Sequence, residues 1–569
     1  MRPALRIDRD VEMPMRDGVP LRGDVWRPDT DEPVPAIVFR TPYDRNGTNS
    51  DCLRPFEAVS AGYACVVQDT RGRYGSDGDW DIIMWEQEAL DTHDTVEWIA
   101  EQPWCDGAVG MAGASYLGIV QWVGAAERPP HLKAFAPAMT TSGELDRLDT
   151  GGALRLTQVI CWLSYMALDW VTRELAAGRE VDQAKVAELI ALVGNPRATL
   201  ERLPLQSIDA FEIPGFPIEL REILLRGMDA VTTFRYDQIE VPTLSLVGWF
   251  DFLATGAIES FMRVRREGGG GEAVRAAHRL ILGPWVHAGT LPGSQGELNF
   301  GVGDGPFAGV SRKHLAFFDQ HLRAGESTLP AVEYFLMGAN EWRTAEDWPP
   351  PEARRQDWLL SSGGAANTAG GDGLLARALP DGAAEADRYR YDPADPVPTH
   401  GGRTIPMGEL VAGPFDQARI EVRQDVLCYT SEPLAEPLDI AGPVAIRLFA
   451  STSGRDTDWV GRLVDVAPDG RAIGFAEGIL RARFRNGPRE QLVEPGETLE
   501  YRLPLGHTAW RVKPGHRLRL QVTSSNFPSF DRNMNTGAPI GSDAAGVVAE
   551  QTIFHTLARP SALELTTLS

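Results

Sequence analysis

The chain has 569 residues, 43% of them hydrophobic and 24% charged, a composition ordinary for a folded protein but too long for one core, so about three or four domains are expected. Its formal net charge of −24 argues against nucleic-acid and anionic-membrane partners, because the summed field repels phosphate. No run is apolar enough to span a bilayer and Met1 to Asp10 lacks the apolar centre of a signal peptide, so the expectation is a cytoplasmic protein with no membrane partner.

In chain order, residues 11–27 read as a hairpin with its turn at Arg16-Asp17-Gly18. Pro35 to Arg40 and Tyr63 to Asp69 are short continuous apolar runs bounded by turn residues, as expected of strands covered on both faces. Glu86 to Ala100 carries apolar residues at helical spacing. Strands alternating with helices indicate a mostly parallel α/β sheet whose sites lie at the carboxyl ends of its strands. The stretch Arg71 to Gly78 matches neither a dinucleotide loop nor a P-loop and reads as a surface loop.

Val109 to Gly118 is the most informative segment. An apolar run ends in small residues, presents Ser115, and passes into an apolar stretch with helical spacing, the sequence of a strand, a sharp turn and a helix. A nucleophile elbow needs small residues because its serine sits on a cramped turn, with Oγ exposed above the sheet. The usual G-x-S-x-G is displaced, with Leu117 where the second glycine is expected and Gly118 one later. On the motif alone, an incidental serine at a strand end stays open.

From about Glu144 to Gln238 the pattern turns mainly helical, with helices over Leu154 to Ala177 and Asp182 to Val193, and reads as an insertion. Within it Trp162, Tyr165, Met166 and Trp170 form an aromatic stripe that packing alone explains better than a pocket does. Strands resume at Val241 to Phe250, followed by Asp251, and at His278 to Val286, followed by His287. Separately, Asp251 reads equally well as a helix cap and His287 as a loop histidine. Together with Ser115 they stand in the order Ser, Asp, His, each just past a strand, which is the order of the α/β-hydrolase triad. His314 and His321 share a helical face that reads as solvated rather than metal-ligating, and five scattered cysteines suggest neither a disulfide framework nor a zinc site. Beyond the Gly/Ala-rich Ser361 to Gly373, short alternating runs such as Val444 to Phe449, Val460 to Val466, Ile479 to Phe484 and Leu518 to Thr523 predict an all-β domain.

Gly113-Ala114-Ser115-Tyr116-Leu117-Gly118 resembles the G-x-S-Y-x-G elbow of the cocaine esterase and X-Pro dipeptidyl-peptidase family, and this accounts for the displaced glycine. Arg40 to Tyr43, Gly248 to Asp251, Gly283 to His287, Tyr391 to Pro398 and Ser524 to Pro528 carry the same resemblance across essentially the whole chain. It implies an α/β-hydrolase domain (residues 1–143 and 241–350) interrupted by a helical cap (144–240) and followed by a jelly-roll β-sandwich (351–569). It implies Ser115 as nucleophile, His287 as base and Asp251 as the residue that orients it. The oxyanion hole would be the Tyr43 hydroxyl and the Tyr116 backbone N–H, although nothing local singles out Tyr43. Trp162, Phe252 and Ile405 are the expected pocket residues, while Arg147 stands where the family pattern has another tryptophan.

The expected reaction is acyl transfer to Ser115 and hydrolysis of the acyl-enzyme, with a small ester or amide as partner and no metal or organic cofactor required. An amine-recognising relative would need a carboxylate, for which Asp146, Asp149 and Asp169 are candidates. A non-catalytic carbohydrate-binding module is the competing class. A homo-oligomer stays open.

Overall fold

In the computed structural model, residues 5–47, 52–80, 85–142, 149–218, 220, 223, 234–287, 293–301, 309–326, 329–378 and 386–568 are described. The apolar runs become β1 (Leu5–Pro14), β2 (Pro20–Pro28), β3 (Val34–Thr41), β4 (Ala64–Asp69), β5 (Cys105–Ala114), β6 (Leu132–Ala138), β7 (Leu244–Phe250), β8 (Arg279–Val286), β9 (Val332–Leu336) and β10 (Glu341–Ala345). They form one sheet in the order β1-β2-β4-β3-β5-β6-β7-β8-β9-β10. The pairings from β4 through β9 are parallel, and the antiparallel ones lie at the two edges.

The central strands lack polar alternation because both faces are covered. Ile37 and Phe39 of β3 enter one core with Phe317 and Phe318 of α6 (Val310–Leu322), whereas Ala36 and Val38 enter another. That second core holds Val96 and Ile99 of α1 (Trp85–Ala100), Trp122 and Ala125 of α2 (Tyr116–Ala126), and Val264 of α5 (Ala254–Glu267). From β3 the chain moves outward to β4 and then returns to β5 on the other side. The loops leaving β3 and β5 therefore diverge, and in an open parallel sheet the crevice between such loops is where ligands bind.

Between β6 and β7 lie α3 (Leu156–Ala176) and α4 (Gln183–Gly194). In α3 the buried residues Leu156, Val159, Ile160, Leu163, Met166, Ala167 and Val171 recur at helical spacing. With Leu189 and Leu192 they make a core separate from those of the sheet. Part of the insertion, including most of residues 219–233, lies outside the described residues. Between Gly194 and Pro217 the described helical pieces are short, Arg197–Leu200 and Leu205–Ser207, because Pro196, Pro204, Pro214 and Pro217 each remove a backbone donor and clash with a continuing helix.

The C-terminal part contains β11 (Arg354–Ser361), β12 (Leu374–Ala376), β13 (Asp387–Tyr391), β14 (Leu427–Thr430), β15 (Leu438–Thr452), β16 (Asp458–Val466), β17 (Ala472–Arg481), β18 (Leu499–Val512), β19 (Arg517–Thr523), β20 (Ala549–Thr556) and β21 (Ala562–Leu568). Apart from the short β12 to β14 pairing, these strands are joined in antiparallel fashion, with β15 contacting β18, β20 and β21. One apolar cluster runs from Trp249 and Phe250 of β7 and Tyr334 to Leu336 of β9 into Ile446, Leu448, Leu503 and Trp510, so the ten-stranded sheet and the strand-rich domain share a core. Among the described residues no helix is long and apolar enough to cross a membrane.

Three residues expected at the surface are buried. His314 is fully buried in α6, with Nδ1 2.9 Å from the Val310 carbonyl, because its face of the helix packs on the sheet. Arg71 and Arg73 are buried instead of lying on a surface loop, since each meets a carboxylate: Asp91 at 2.6 Å and Asp169 at 2.8 Å.

Burial disfavours the charged imidazole, lowering His278 to about 3 and His314 and His321 to about 4. The unfolded chain then binds more protons than the native one between about pH 4 and 6.5, so stability falls as pH is lowered through that window. We expect denaturant midpoints to drop from pH 7 to pH 4.5 and His314→Gln to flatten the drop; an unchanged slope in that variant contradicts the assignment.

Candidate active site

Ser115 occupies the turn between β5 and α2 with φ 60° and ψ −124°, a conformation an L-residue holds only under constraint, at roughly 1–3 kcal/mol. The surrounding residues supply the constraint. Gly113 has φ 140°, and a Cβ there would come within 2.6 Å of Leu117 Cβ. A Cβ on Gly118 would lie 2.3 Å from the Thr140 methyl. The shifted glycine thus has a local reason: Leu117 packs over Gly113, and the close approach to Thr140, just past β6, falls one residue later, at Gly118. Thr140 Oγ1 donates to the Ser115 carbonyl at 2.8 Å. Gln121 ties the turn to both strands, donating to the Gly113 and Leu117 carbonyls at 3.1 and 2.8 Å and accepting from the Ala136 N–H at 3.1 Å.

His287, just past β8, places Nε2 3.0 Å from Ser115 Oγ and Nδ1 3.0 Å from Asp251 Oδ1. Asp251 is fully buried just past β7 and also accepts the Leu253 N–H at 2.8 Å. Three residues far apart in the chain are thereby joined in one hydrogen-bonded line. Phe252 is buried, and its ring lies over the His287 imidazole at 4.3 Å between centroids.

Tyr43 leaves the end of β3 across the switch-point crevice. Burial raises its phenol to about 12, so the hydroxyl stays protonated. Tyr116 is the first residue of α2, and the first N–H groups of a helix have no intrahelical acceptor. Its side chain points away from the crevice and donates to Glu88 Oε1 at 3.0 Å, while Glu88 pairs with buried Arg40 at 2.9 Å. Burial raises the Glu88 carboxyl, opposed by the Arg40 guanidinium.

The α3 stripe divides. Met166 enters the cap core, whereas Trp162 is half-buried with Nε1 3.0 Å from the Tyr43 hydroxyl, and Tyr165 is exposed with its ring edge-on to Tyr43 at 5.7 Å. Ile405 is half-buried between the bridges Gly402 to Gly413 and Met407 to Leu410, and Met407 packs on the same cap cluster as Trp162. Of the carboxylates considered for amine binding, Asp169 already pairs with Arg73. Asp146, like Arg147, lies outside the described residues, as does the side chain of Asp149. Arg73, Glu88 and Thr140 escaped the sequence reading because each acts through a partner distant in the chain, and Gln121 because its bonds go to backbone groups that carry no side-chain signature.

Residues 17–289 match X-Pro dipeptidyl-peptidase (S15 family), and residues 325–564 match the X-Pro dipeptidyl-peptidase C-terminal non-catalytic domain. The chain belongs to the S15 family of serine hydrolases. It is 38% identical over 552 residues to the cocaine esterase of Rhodococcus sp. (strain MB1 Bresler), covering 93% of each chain. Among solved structures it resembles an aminopeptidase from the marine sediment archaeon Thaumarchaeota archaeon, at 27% identity and TM-score 0.76. It also resembles an α-amino acid ester hydrolase, at 26% identity and the same TM-score. Each alignment covers 100% of this chain and 97% of the other. In this S15 member the α/β-hydrolase sheet carries the helical insertion and the strand-rich C-terminal domain as one molecule.

Gly118→Ala tests the packing account of the elbow. It should cost about 1–3 kcal/mol through overpacking and lower turnover, because Thr140 must leave the Ser115 carbonyl. Thr140→Ser, which removes the clashing methyl and keeps the hydroxyl, should recover part of both in melting and turnover assays. Wild-type behaviour of Gly118→Ala contradicts the account.

Proposed function

We propose that this S15 hydrolase cleaves small carboxylic esters through an acyl-enzyme on Ser115. The observation that carries the reading is the line from Ser115 Oγ through His287 to Asp251, with both links at 3.0 Å. A serine hydroxyl is a poor nucleophile until a base accepts its proton. His287 Nε2 takes that proton as Oγ attacks the ester carbonyl, and Asp251 holds the ring with Nδ1 protonated and stabilises the imidazolium.

The carbonyl oxygen gains negative charge in the tetrahedral intermediate. The Tyr116 N–H, at the positive end of α2, and the Tyr43 hydroxyl receive it there. His287 then gives its proton to the departing alcohol, water repeats the attack on the acyl-enzyme, and Ser115 is regenerated. Phe252, Trp162 and Ile405 serve as apolar walls, with Phe252 also limiting water around His287.

The ester reading is supported by the Rhodococcus cocaine esterase relative. The structural likenesses to an aminopeptidase and an α-amino acid ester hydrolase favour an α-amino acid ester or amide as the second reading. Asp169 weakens it at one position, because a carboxylate already paired with a buried guanidinium has little left to offer a substrate ammonium.

A fluorophosphonate should label the protein at Ser115, and Ser115→Ala should abolish labelling. Loss of Ser115 or His287 should each reduce turnover by about 10⁴-fold or more. Aryl and alkyl esters should turn over faster than prolyl-dipeptide anilides. Equal labelling of Ser115→Ala would refute the nucleophile assignment, and the reverse substrate order would refute the ester reading.

A further inference from the structure

The Tyr43 phenol is held from the cap. Trp162 Nε1 and Tyr43 Oη are 3.0 Å apart, and an indole N–H can only donate. The phenolic oxygen is therefore the acceptor in this bond, and its own proton is left to point elsewhere. The rest of Tyr43 is fixed as well. Its backbone N–H donates to Thr41 Oγ1 at 3.0 Å, and its ring meets those of Tyr165 and Tyr116 edge-on at 5.7 and 6.3 Å.

The same helix is tied to the Tyr43 segment a second time. Arg73 is fully buried, donates from Nε to the Pro42 carbonyl at 3.0 Å and pairs through Nη2 with Asp169 at 2.8 Å. Asp169 stands about two helical turns beyond Trp162 on α3. Two links of different chemistry thus join one cap helix to adjacent residues, Pro42 and Tyr43, at the carboxyl end of β3.

We propose that α3 is a working part of the oxyanion hole: Trp162 is a positioning residue that occupies the lone pair of Tyr43 and aims its proton at the carbonyl bound over Ser115, while the Arg73 to Asp169 pair holds the helix in register. Accepting a hydrogen bond also polarises a hydroxyl and makes it a stronger donor. Burial keeps the Tyr43 phenol neutral, so its proton is present to be aimed. A docked cap and a complete oxyanion hole become a single state of the molecule. This extends the proposed oxyanion role of Tyr43 and rests on it.

Trp162→Phe keeps the aromatic ring and removes the N–H. With a p-nitrophenyl ester it should lower kcat about 5–20-fold while KM changes less than about two-fold, the pattern of an interaction strengthened in the transition state. Tyr43→Phe should lower kcat about 10²–10³-fold. On that background Trp162→Phe should cost less than about two-fold more, because there is no longer a proton to aim. Asp169→Asn leaves Trp162 intact, weakens the second link and should shift kcat in the same direction, which keeps the test open if Trp162→Phe folds poorly. A raised KM with unchanged kcat in Trp162→Phe, or its full effect persisting on Tyr43→Phe, overturns the inference and leaves Trp162 a pocket wall. Wild-type kcat in Tyr43→Phe overturns the oxyanion reading itself.

Discussion

The site depends on a backbone held where it does not rest by itself. Ser115 has a positive φ, and its place is kept by an absent Cβ at Gly113, the close approach of Gly118 to Thr140, and the bonds of Thr140 and Gln121 to turn carbonyls. Strain of this size persists only when the surroundings over-determine the conformation. The return is geometric. The serine hydroxyl stands above the sheet, the helix beginning at Tyr116 offers unused N–H groups, and Asp251 and His287 arrive from the ends of β7 and β8.

The three parts of the chain act on this turn in different ways. The sheet supplies Ser115, Asp251, His287 and Tyr43 from the carboxyl ends of β5, β7, β8 and β3. The cap has its own core, so its attachment near the site runs through the polar links of Trp162 and Asp169 as well as through packing. The C-terminal domain shares a core with β7 and β9, and Arg403 reaches across to donate to the Trp249 carbonyl at 3.0 Å, two residues before Asp251. The strand that presents the acid is thus buttressed from a domain whose family description is non-catalytic.

Much of this was legible because it is local. Alternating and continuous apolar runs located β3, β4 and β5, helical spacing located α3, and the small residues around Ser115 marked a sharp turn. What escaped depends on distance. Tyr43 has no local signature, since its neighbour in space, Trp162, is 119 positions away. Arg73 looked like a loop residue because Asp169 lies far along the chain, and His314 looked solvated because helical spacing cannot say which neighbours cover a face. Helical spacing alone favours packing for the stripe of Trp162, Tyr165 and Met166, and only the family resemblance points to Trp162 as a pocket residue; in the structure the helix face is divided, Met166 entering the cap core and Trp162 and Tyr165 meeting Tyr43.

The most direct test of the account is a crystal structure of the enzyme with an arylphosphonate bound covalently to Ser115. The phosphoryl oxygen, standing in for the oxyanion, should lie about 2.7–3.1 Å from both Tyr43 Oη and the Tyr116 nitrogen, with the Trp162 to Tyr43 bond retained. An oxygen turned away from both donors, or a Tyr43 hydroxyl released from Trp162 and bound elsewhere, would contradict it.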